Sequence, residues 1–107
     1  IEFISECCKY LDISTKLIRA SEMDVQGKKS HLVLDICKKL NATDLLANKG
    51  SEDYLENDKQ IFENNTINIS YQNYTSLPYN QKGKLFLKNL SVLDLLFSEK
   101  KDSKLYI

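Results

Sequence analysis

The chain has 107 residues, of which 42% are hydrophobic and 28% charged, and its fifteen basic residues balance fifteen acidic ones. This length allows one modest hydrophobic core, and the composition excludes an intrinsically disordered chain. Because the charges balance and no basic stripe is present, neither nucleic acid nor a membrane is expected as a partner.

The first elements in chain order are predicted to be a helix and a short strand. A helix is expected over about residues 2–11, where apolar positions recur at helical spacing. The run "TKLIRAS" follows, with Leu17 and Ile18 as a short buried strand that ends at Ser21. The apolar positions of the helix are Phe3, Cys7, Tyr10 and Leu11.

The second helix has the clearest pattern in the chain. It is expected over "SHLVLDICKKL", with Ser30 as its N-cap. Asn41 follows at the position where a left-handed residue closes a helix, which Asn tolerates better than most residues. The apolar stripe of this helix is formed by Val33, Ile36, Cys37 and Leu40.

The remainder of the chain is predicted to contain two further strands and two or three helices. "ATDLLAN" and "TINISYQNY" are the second and third strands, and "SEDYLENDKQIFENN" between them is one helix or two short ones. "TSLPYNQKGK" is a loop that contains Pro78 and Gly83. In the last helix, "SVLDLLFSE", Ser91 and Asp94 are spaced as a capping box.

This order of elements predicts an α/β fold with a small, mainly parallel three-stranded sheet and flanking helices. No repeat or linker divides the chain, so one α/β domain is expected over residues 1–107. The small sheet and the missing initiating Met predict that this domain is a fragment of a larger α/β protein.

The cysteines and the first residues of the chain indicate the cellular compartment. Cys7, Cys8 and Cys37 are an odd set and a poor disulfide framework, which is typical of core thiols in a reducing compartment. The start carries Glu2 and Glu6 rather than a basic segment, so it is not a secretory signal. No apolar run approaches the ~20 residues of a membrane span. A cytoplasmic location is expected.

No catalytic or metal-binding motif is recognisable. His31 is the only histidine and lies six residues from Cys37, so the two side chains would occupy different helix faces. No Cys/His spacing suits zinc, no metal ligand is predicted, and the cofactor and catalytic residues stay unassigned.

A substrate-binding crevice is predicted where two strands end. In parallel sheets, ligands bind beyond the carboxyl ends of the strands. Ser21 and Glu22 end the first predicted strand, Asn48 and Gly50 end the second, and Lys29 precedes the helix between them. If these two strands are neighbours, the five residues face one crevice and can hold a polar, partly charged substrate. The alternative is that Glu22 and Lys29 are solvated and the loop is a corner.

The loop around residues 71–81 is a second candidate for binding. Tyr79 and Gln81 offer an aromatic face and an amide, which are the groups that hold sugars or bases. The alternative is a surface loop whose tyrosines pack on the core.

The sequence blocks "GKKSHLVLDICKKLNATDLLANKGSEDYL", "ISYQNY…LPYNQ" and "NLSVLDLLF" resemble the C-terminal half of the WbqC-like family of bacterial proteins. Positions that match the family include Glu22, Lys29, Gly50, Tyr79 and Gln81. The chain departs from the family in reading "LLAN" at 45–48 and in Ser98-Glu99 after "LLF".

The resemblance implies a process rather than a reaction. Members are linked with surface-polysaccharide (O-antigen) biosynthesis, so the chain is expected to be the substrate-facing half of an enzyme that modifies nucleotide sugars or transfers a group. The implied partner is a nucleotide sugar or another polar small molecule. The alternative is a non-catalytic module that organises polysaccharide-biosynthesis enzymes, and the apolar last helix would suit it.

Overall fold

The computed structural model describes residues 1–83 and 85–107, which divide into two compact units. The terminal unit comprises Ile1–Leu17 and Tyr74–Ile107, and the central unit is Ile18–Asn73. The expectation of a single domain stays a prediction. In chain order, the α-helices and strands of the described residues are α1 (Glu2–Tyr10), α2 (Ser30–Lys39), β1 (Asp44–Ala47), α3 (Glu52–Asn57), α4 (Lys59–Glu63), β2 (Asn68–Tyr71) and α5 (Val92–Glu99).

The sheet of the central unit has two parallel strands. Asp44 of β1 lies opposite Asn68 of β2, and Ala47 lies opposite Tyr71. The Asn68 N–H donates to the Thr43 carbonyl at 2.8 Å, immediately before β1. The predicted three-stranded sheet is therefore wrong, although the structure is mixed α/β and its two strands are parallel.

The run predicted as the first strand does not form one. Leu17 and Ile18 lie outside any strand and are each 41% exposed, and Ala20–Glu22 forms a 3-10 turn. A strand exists only through hydrogen bonds to a neighbour. Two adjacent apolar residues cannot distinguish such a strand from an extended connection, because the run is too short to show a period.

One face of the sheet and three helices enclose the core of the central unit. Side chains of Leu45, Ala47, Ile69 and Tyr71 pack against this core and alternate with exposed neighbours, so the opposite face of the sheet is uncovered. The buried members of the core are Cys37 of α2, Leu55 of α3, Phe62 of α4 and Ile67 before β2.

Helices α3 and α4 confirm the alternative of two short helices between the strands. Asp58 separates them with φ −110° and ψ 18°, outside helical geometry. The two helices place Leu55 and Phe62 in the core, and these side chains are 1% and 0% exposed.

Helix α2 ends as predicted but begins differently. Asn41 has φ 51° and its N–H donates to the Lys38 carbonyl, while the Ala42 N–H donates to the Cys37 carbonyl, which is a Schellman motif. Ser30 is the first helical residue rather than a cap. Its hydroxyl is fully buried and donates to the Tyr54 carbonyl of α3 at 2.9 Å, so it links two helices.

The terminal unit contains α1, α5 and a 3-10 segment, Lys100–Tyr106, that follows α5. The predicted first helix is confirmed to within one residue. Ser91 caps α5 as predicted, because its Oγ accepts from the Leu93 N–H at 3.3 Å. The Ser103 hydroxyl is fully buried and donates to the Leu95 carbonyl of α5 at 3.3 Å, which holds the 3-10 segment beside α5.

Candidate functional site

Two predicted site residues of the terminal unit meet at one carboxylate. The Tyr79 hydroxyl donates to Asp94 Oδ2 at 2.7 Å, and Gln81 Nε2 donates to the same oxygen at 3.0 Å. Asp94 lies in the first turn of α5, where a carboxylate is favoured by the helix dipole. Its side chain therefore binds the loop rather than completing the predicted capping box. We call Tyr79, Gln81 and Asp94 the Asp94 cluster.

The Gln81 amide uses both of its ends inside the protein. Nε2 also donates to the Leu87 carbonyl at 2.9 Å, and Oε1 accepts from the Leu87 N–H at 2.8 Å. These two bonds close the loop between Gln81 and Leu87. Lys84 of this loop is not among the described residues. The amide is thus committed to holding the loop on α5.

Tyr79 is set among aromatic rings as well as against Asp94. Its ring contacts Phe86 and Tyr106 edge to face, with centroids 5.2 Å and 5.9 Å away. Burial raises the pKa of the Tyr79 hydroxyl, and its hydrogen bond to Asp94 raises the pKa further. Both effects favour the protonated phenol, which is the form that donates to Asp94. These contacts agree with the packing alternative for the loop, while its binding role stays a prediction.

The other predicted site residues lie in the central unit. Ser21 and Glu22 are exposed on the 3-10 turn, where Glu22 Oε1 is 3.7 Å from Arg19 Nε. Lys29 is exposed immediately before α2, with φ 50° and ψ −126°. Non-glycine residues rarely adopt such a conformation, so Lys29 marks a strained turn.

The loop that carries Lys29 is held by α2. Asp35 Oδ2 accepts from the Gln26 N–H at 2.9 Å, and Lys39 Nζ donates to the Met23 carbonyl at 3.2 Å. Gly27 has φ 97°, and a Cβ there would lie 3.1 Å from the His31 Cβ and from the Leu32 N. The loop therefore needs glycine at position 27.

Asn48 and Gly50 follow β1 as predicted. Asn48 Oδ1 accepts from the Ser51 hydroxyl at 3.1 Å, and a Cβ on Gly50 would approach this same oxygen to 3.3 Å. Among the hydrogen bonds and ion pairs of residues 1–83 and 85–107, none joins Asn48 or Gly50 to Ser21, Glu22 or Lys29. The crevice of five residues stays a prediction, without the strand that was expected to bring them together.

Tyr71, at the carboxyl end of β2, is the first residue of the 71–81 loop that was predicted as the second candidate for binding. The Tyr71 hydroxyl donates to Glu56 Oε1 of α3 at 2.8 Å. Burial, followed by the hydrogen bond and the negative charge of Glu56, raises the pKa of Tyr71 to about 12. The strand predicted over "TINISYQNY" includes Tyr71, but no feature of the sequence indicates its pairing with a carboxylate fifteen residues earlier.

The terminal unit also contains a groove between α1 and α5, with a cavity volume of about 620 Å³. Glu6, Lys9 and Lys100 supply its charged groups. The helical spacing of its lining residues is visible in the sequence, but the same spacing describes a covered helix face. We call this cavity the α1–α5 groove, and its walls are formed by Phe3, Cys7 and Tyr10 of α1 and by Leu93, Leu96 and Phe97 of α5.

Two comparisons with known proteins identify what the chain is similar to. The family model described as the WbqC-like protein family matches residues 1–106. The "Uncharacterized protein Rv1507c" of Mycobacterium tuberculosis (strain ATCC 25618 / H37Rv) is 26% identical over 96 residues. That alignment covers 89% of this chain but 41% of the relative, so the chain spans less than half the relative's length. No solved structure matches the chain.

Proposed function

The chain belongs to the WbqC-like protein family, and we propose from this premise that it acts in bacterial surface-polysaccharide (O-antigen) biosynthesis. In this proposal it supplies a substrate-facing part of a protein that modifies nucleotide sugars or transfers a group to them. The observation that carries the proposal is the family match over residues 1–106, because it spans both compact units.

The geometry supports a small-molecule role. Ligand pockets usually enclose about 300–1,000 Å³ and combine apolar walls with a few polar groups, and the α1–α5 groove has this size and this mixture. A cytoplasmic location is part of the proposal. It is supported by the free thiols of Cys7, Cys8 and Cys37, since disulfides are rare in the reducing cytosol.

Isothermal titration calorimetry of the full chain tests this function. Nucleoside diphosphate sugars would be titrated into the protein, followed by acyl and aminoacyl donors, with circular dichroism confirming the folded state. We expect saturable binding of at least one nucleotide sugar. A folded protein that binds none of these compounds would overturn the proposal.

A second candidate function is an interaction module that organises biosynthetic enzymes. It is favoured by the exposure of apolar residues on α5, where Leu93 is 41% and Phe97 is 80% exposed, since exposed apolar surface marks contact sites. Analytical ultracentrifugation of the chain with purified enzymes of the same pathway tests it. A stable complex with an enzyme, combined with no small-molecule binding, would favour the module over the first proposal.

A further inference from the structure

Three aromatic rings that line the α1–α5 groove are exposed to solvent. Phe97 is 80% exposed, and Phe3 and Tyr10 are each 52% exposed. In the part of the chain that the structure describes, the close aromatic pairs are Tyr79 with Phe86 and Tyr79 with Tyr106. The rings of the groove are in neither pair, so they stack on no other described ring. Uncovered aromatic faces can stack on the flat rings of a ligand.

The charges of the groove favour an anion. Lys9 Nζ lies 2.7 Å from Glu6 Oε1, so these two charges compensate each other. Across residues 1–83 and 85–107, the ion pairs include none with Lys100. The groove thus carries two cations and one carboxylate, and Lys100 supplies the surplus positive charge.

We propose that the α1–α5 groove binds the nucleoside diphosphate part of a nucleotide sugar. The base stacks on Phe97, and the Lys100 ammonium binds the diphosphate, with the Glu6–Lys9 pair at the edge of the site. A nucleoside diphosphate joins a flat ring to an anion, and this combination matches the aromatic walls and the surplus cation of the groove. This inference rests on the proposed function and assigns it to a site.

Three probes separate the contributions of ring and phosphate. Uridine diphosphate carries both, uridine carries the ring, and inorganic pyrophosphate carries the anion. We expect uridine diphosphate to bind more tightly than either part by calorimetry. Equal affinity for pyrophosphate and uridine diphosphate would overturn the stacking role, and equal affinity for uridine would overturn the role of Lys100.

Substitution of exposed groove residues tests the same assignment without disturbing the core. Phe97→Ala should weaken uridine diphosphate binding about tenfold, as expected for loss of one stacking platform, and Lys100→Ala should also weaken it. Leu105→Ala and Lys101→Ala are matched controls, because Leu105 is 75% exposed and both residues lie outside the groove lining. Equal affinities in all four variants would overturn the assignment.

Cysteine alkylation reports directly on the groove. Cys7 lines it, whereas the neighbouring Cys8 is half-buried outside the lining and Cys37 is buried in the central unit, where burial raises the pKa of its thiol. In a Cys8→Ser protein, uridine diphosphate at about ten times its Kd should slow iodoacetamide labelling of Cys7 roughly tenfold. Labelling of Cys8 in a Cys7→Ser protein, whose affinity for uridine diphosphate is first confirmed by calorimetry, is the control and should not change.

The two proposals fail differently. Binding of a nucleotide sugar without protection of Cys7 would overturn the groove assignment and leave the proposed function standing. Absence of nucleotide-sugar binding to the folded wild-type chain would overturn both.

Discussion

The buried hydroxyl of Ser30 shows how one residue joins two helices of the central unit. The Ser30 side chain is 0% exposed, and its hydroxyl donates to the Tyr54 carbonyl of α3. Without this hydroxyl the part-buried carbonyl loses a hydrogen-bond donor, so Ser30 contributes to the stability of the packing between α2 and α3.

Ser30→Ala is therefore expected to lower the free energy of unfolding by about 1 kcal/mol. Urea denaturation followed by circular dichroism would measure the change. Ser70→Ala, on the exposed face of β2, is the control and should change the free energy of unfolding by less than about 0.5 kcal/mol. Equal losses in the two variants would show that the Ser30–Tyr54 bond is not stabilising.

The raised pKa of Tyr71 predicts a loss of stability at high pH. The folded-state pKa of about 12 lies above the ordinary value of 10.0, so the folded state retains the hydroxyl proton when the unfolded chain releases it. The corresponding stabilisation is complete below pH 10 and decreases as the pH rises toward 12.

Tyr71→Phe should flatten this part of the pH–stability curve, because the substitution removes the titrating hydroxyl. Thermal melts between pH 9 and 12 of the wild-type and variant chains would show it, with Tyr10→Phe as an exposed control. A variant curve as steep as that of the wild type would assign the loss to other groups.

At the scale of elements, the connection from α4 to β2 depends on an unfavourable backbone conformation. Thr66 has φ 58°, its N–H donates to the Glu63 carbonyl, and the Ile67 N–H donates to the Phe62 carbonyl. This is the same motif that Asn41 forms after α2. Asn41 could be predicted because Asn tolerates left-handed geometry, whereas a β-branched residue such as Thr66 rarely adopts it.

Thr66→Gly should raise the free energy of unfolding by about 0.5 to 1 kcal/mol, because glycine removes the left-handed penalty and only part of the gain is lost to chain entropy. Thr66→Ala keeps the β-carbon and should give little of this gain. Urea denaturation of both variants provides the measurement. A Thr66→Gly protein less stable than the Thr66→Ala protein would contradict this account of the turn.

The loop before α5 is held by side chains rather than by regular secondary structure. Gln81 bonds both backbone groups of Leu87 and the Asp94 carboxylate, and the Asn80 N–H donates to Glu99 Oε1 at 2.8 Å. Sequence reasoning identified Tyr79 and Gln81 as the informative residues of this loop. It could not identify their partner, because the spacing of Asp94 was equally consistent with a helix cap.

Gln81→Ala is expected to destabilise the terminal unit by about 1 to 2 kcal/mol, since three hydrogen bonds are lost at a partly buried position. Hydrogen exchange of residues 79–87 would reveal the loosened loop, and Gln72→Ala is the exposed control. Affinity for uridine diphosphate glucose should be unchanged. Unchanged stability with a loss of affinity would instead favour this loop as the ligand site.

For the whole molecule, the sequence predicted local features well, but it did not predict which surfaces are covered by other parts of the chain. The approximate positions of the helices and the closure of α2 at Asn41 follow from residue type and period, and the parallel pairing of β1 and β2 follows from the order of strands and helices. The first strand failed because pairing is a tertiary property that the Leu17–Ile18 run does not encode. The groove was not predicted because Phe3, Cys7 and Tyr10 have the spacing of an ordinary buried helix face.

The division into two units makes the location of binding a question that one measurement can answer. If the α1–α5 groove is the ligand site, a nucleotide sugar should perturb the terminal unit alone. If the predicted crevice of Ser21, Glu22, Lys29, Asn48 and Gly50 is the site, the perturbed residues should lie in the central unit.

Titration of the isotope-labelled full chain with uridine diphosphate glucose, followed by amide chemical shifts in nuclear magnetic resonance spectra, makes this distinction residue by residue. We predict saturable shifts of the amides of α1 and of α5 through Lys100, with the amides of Lys29 and Asn48 unmoved. Saturable shifts centred on Ser21, Lys29 and Asn48, or no shifts in a folded chain, would contradict the account.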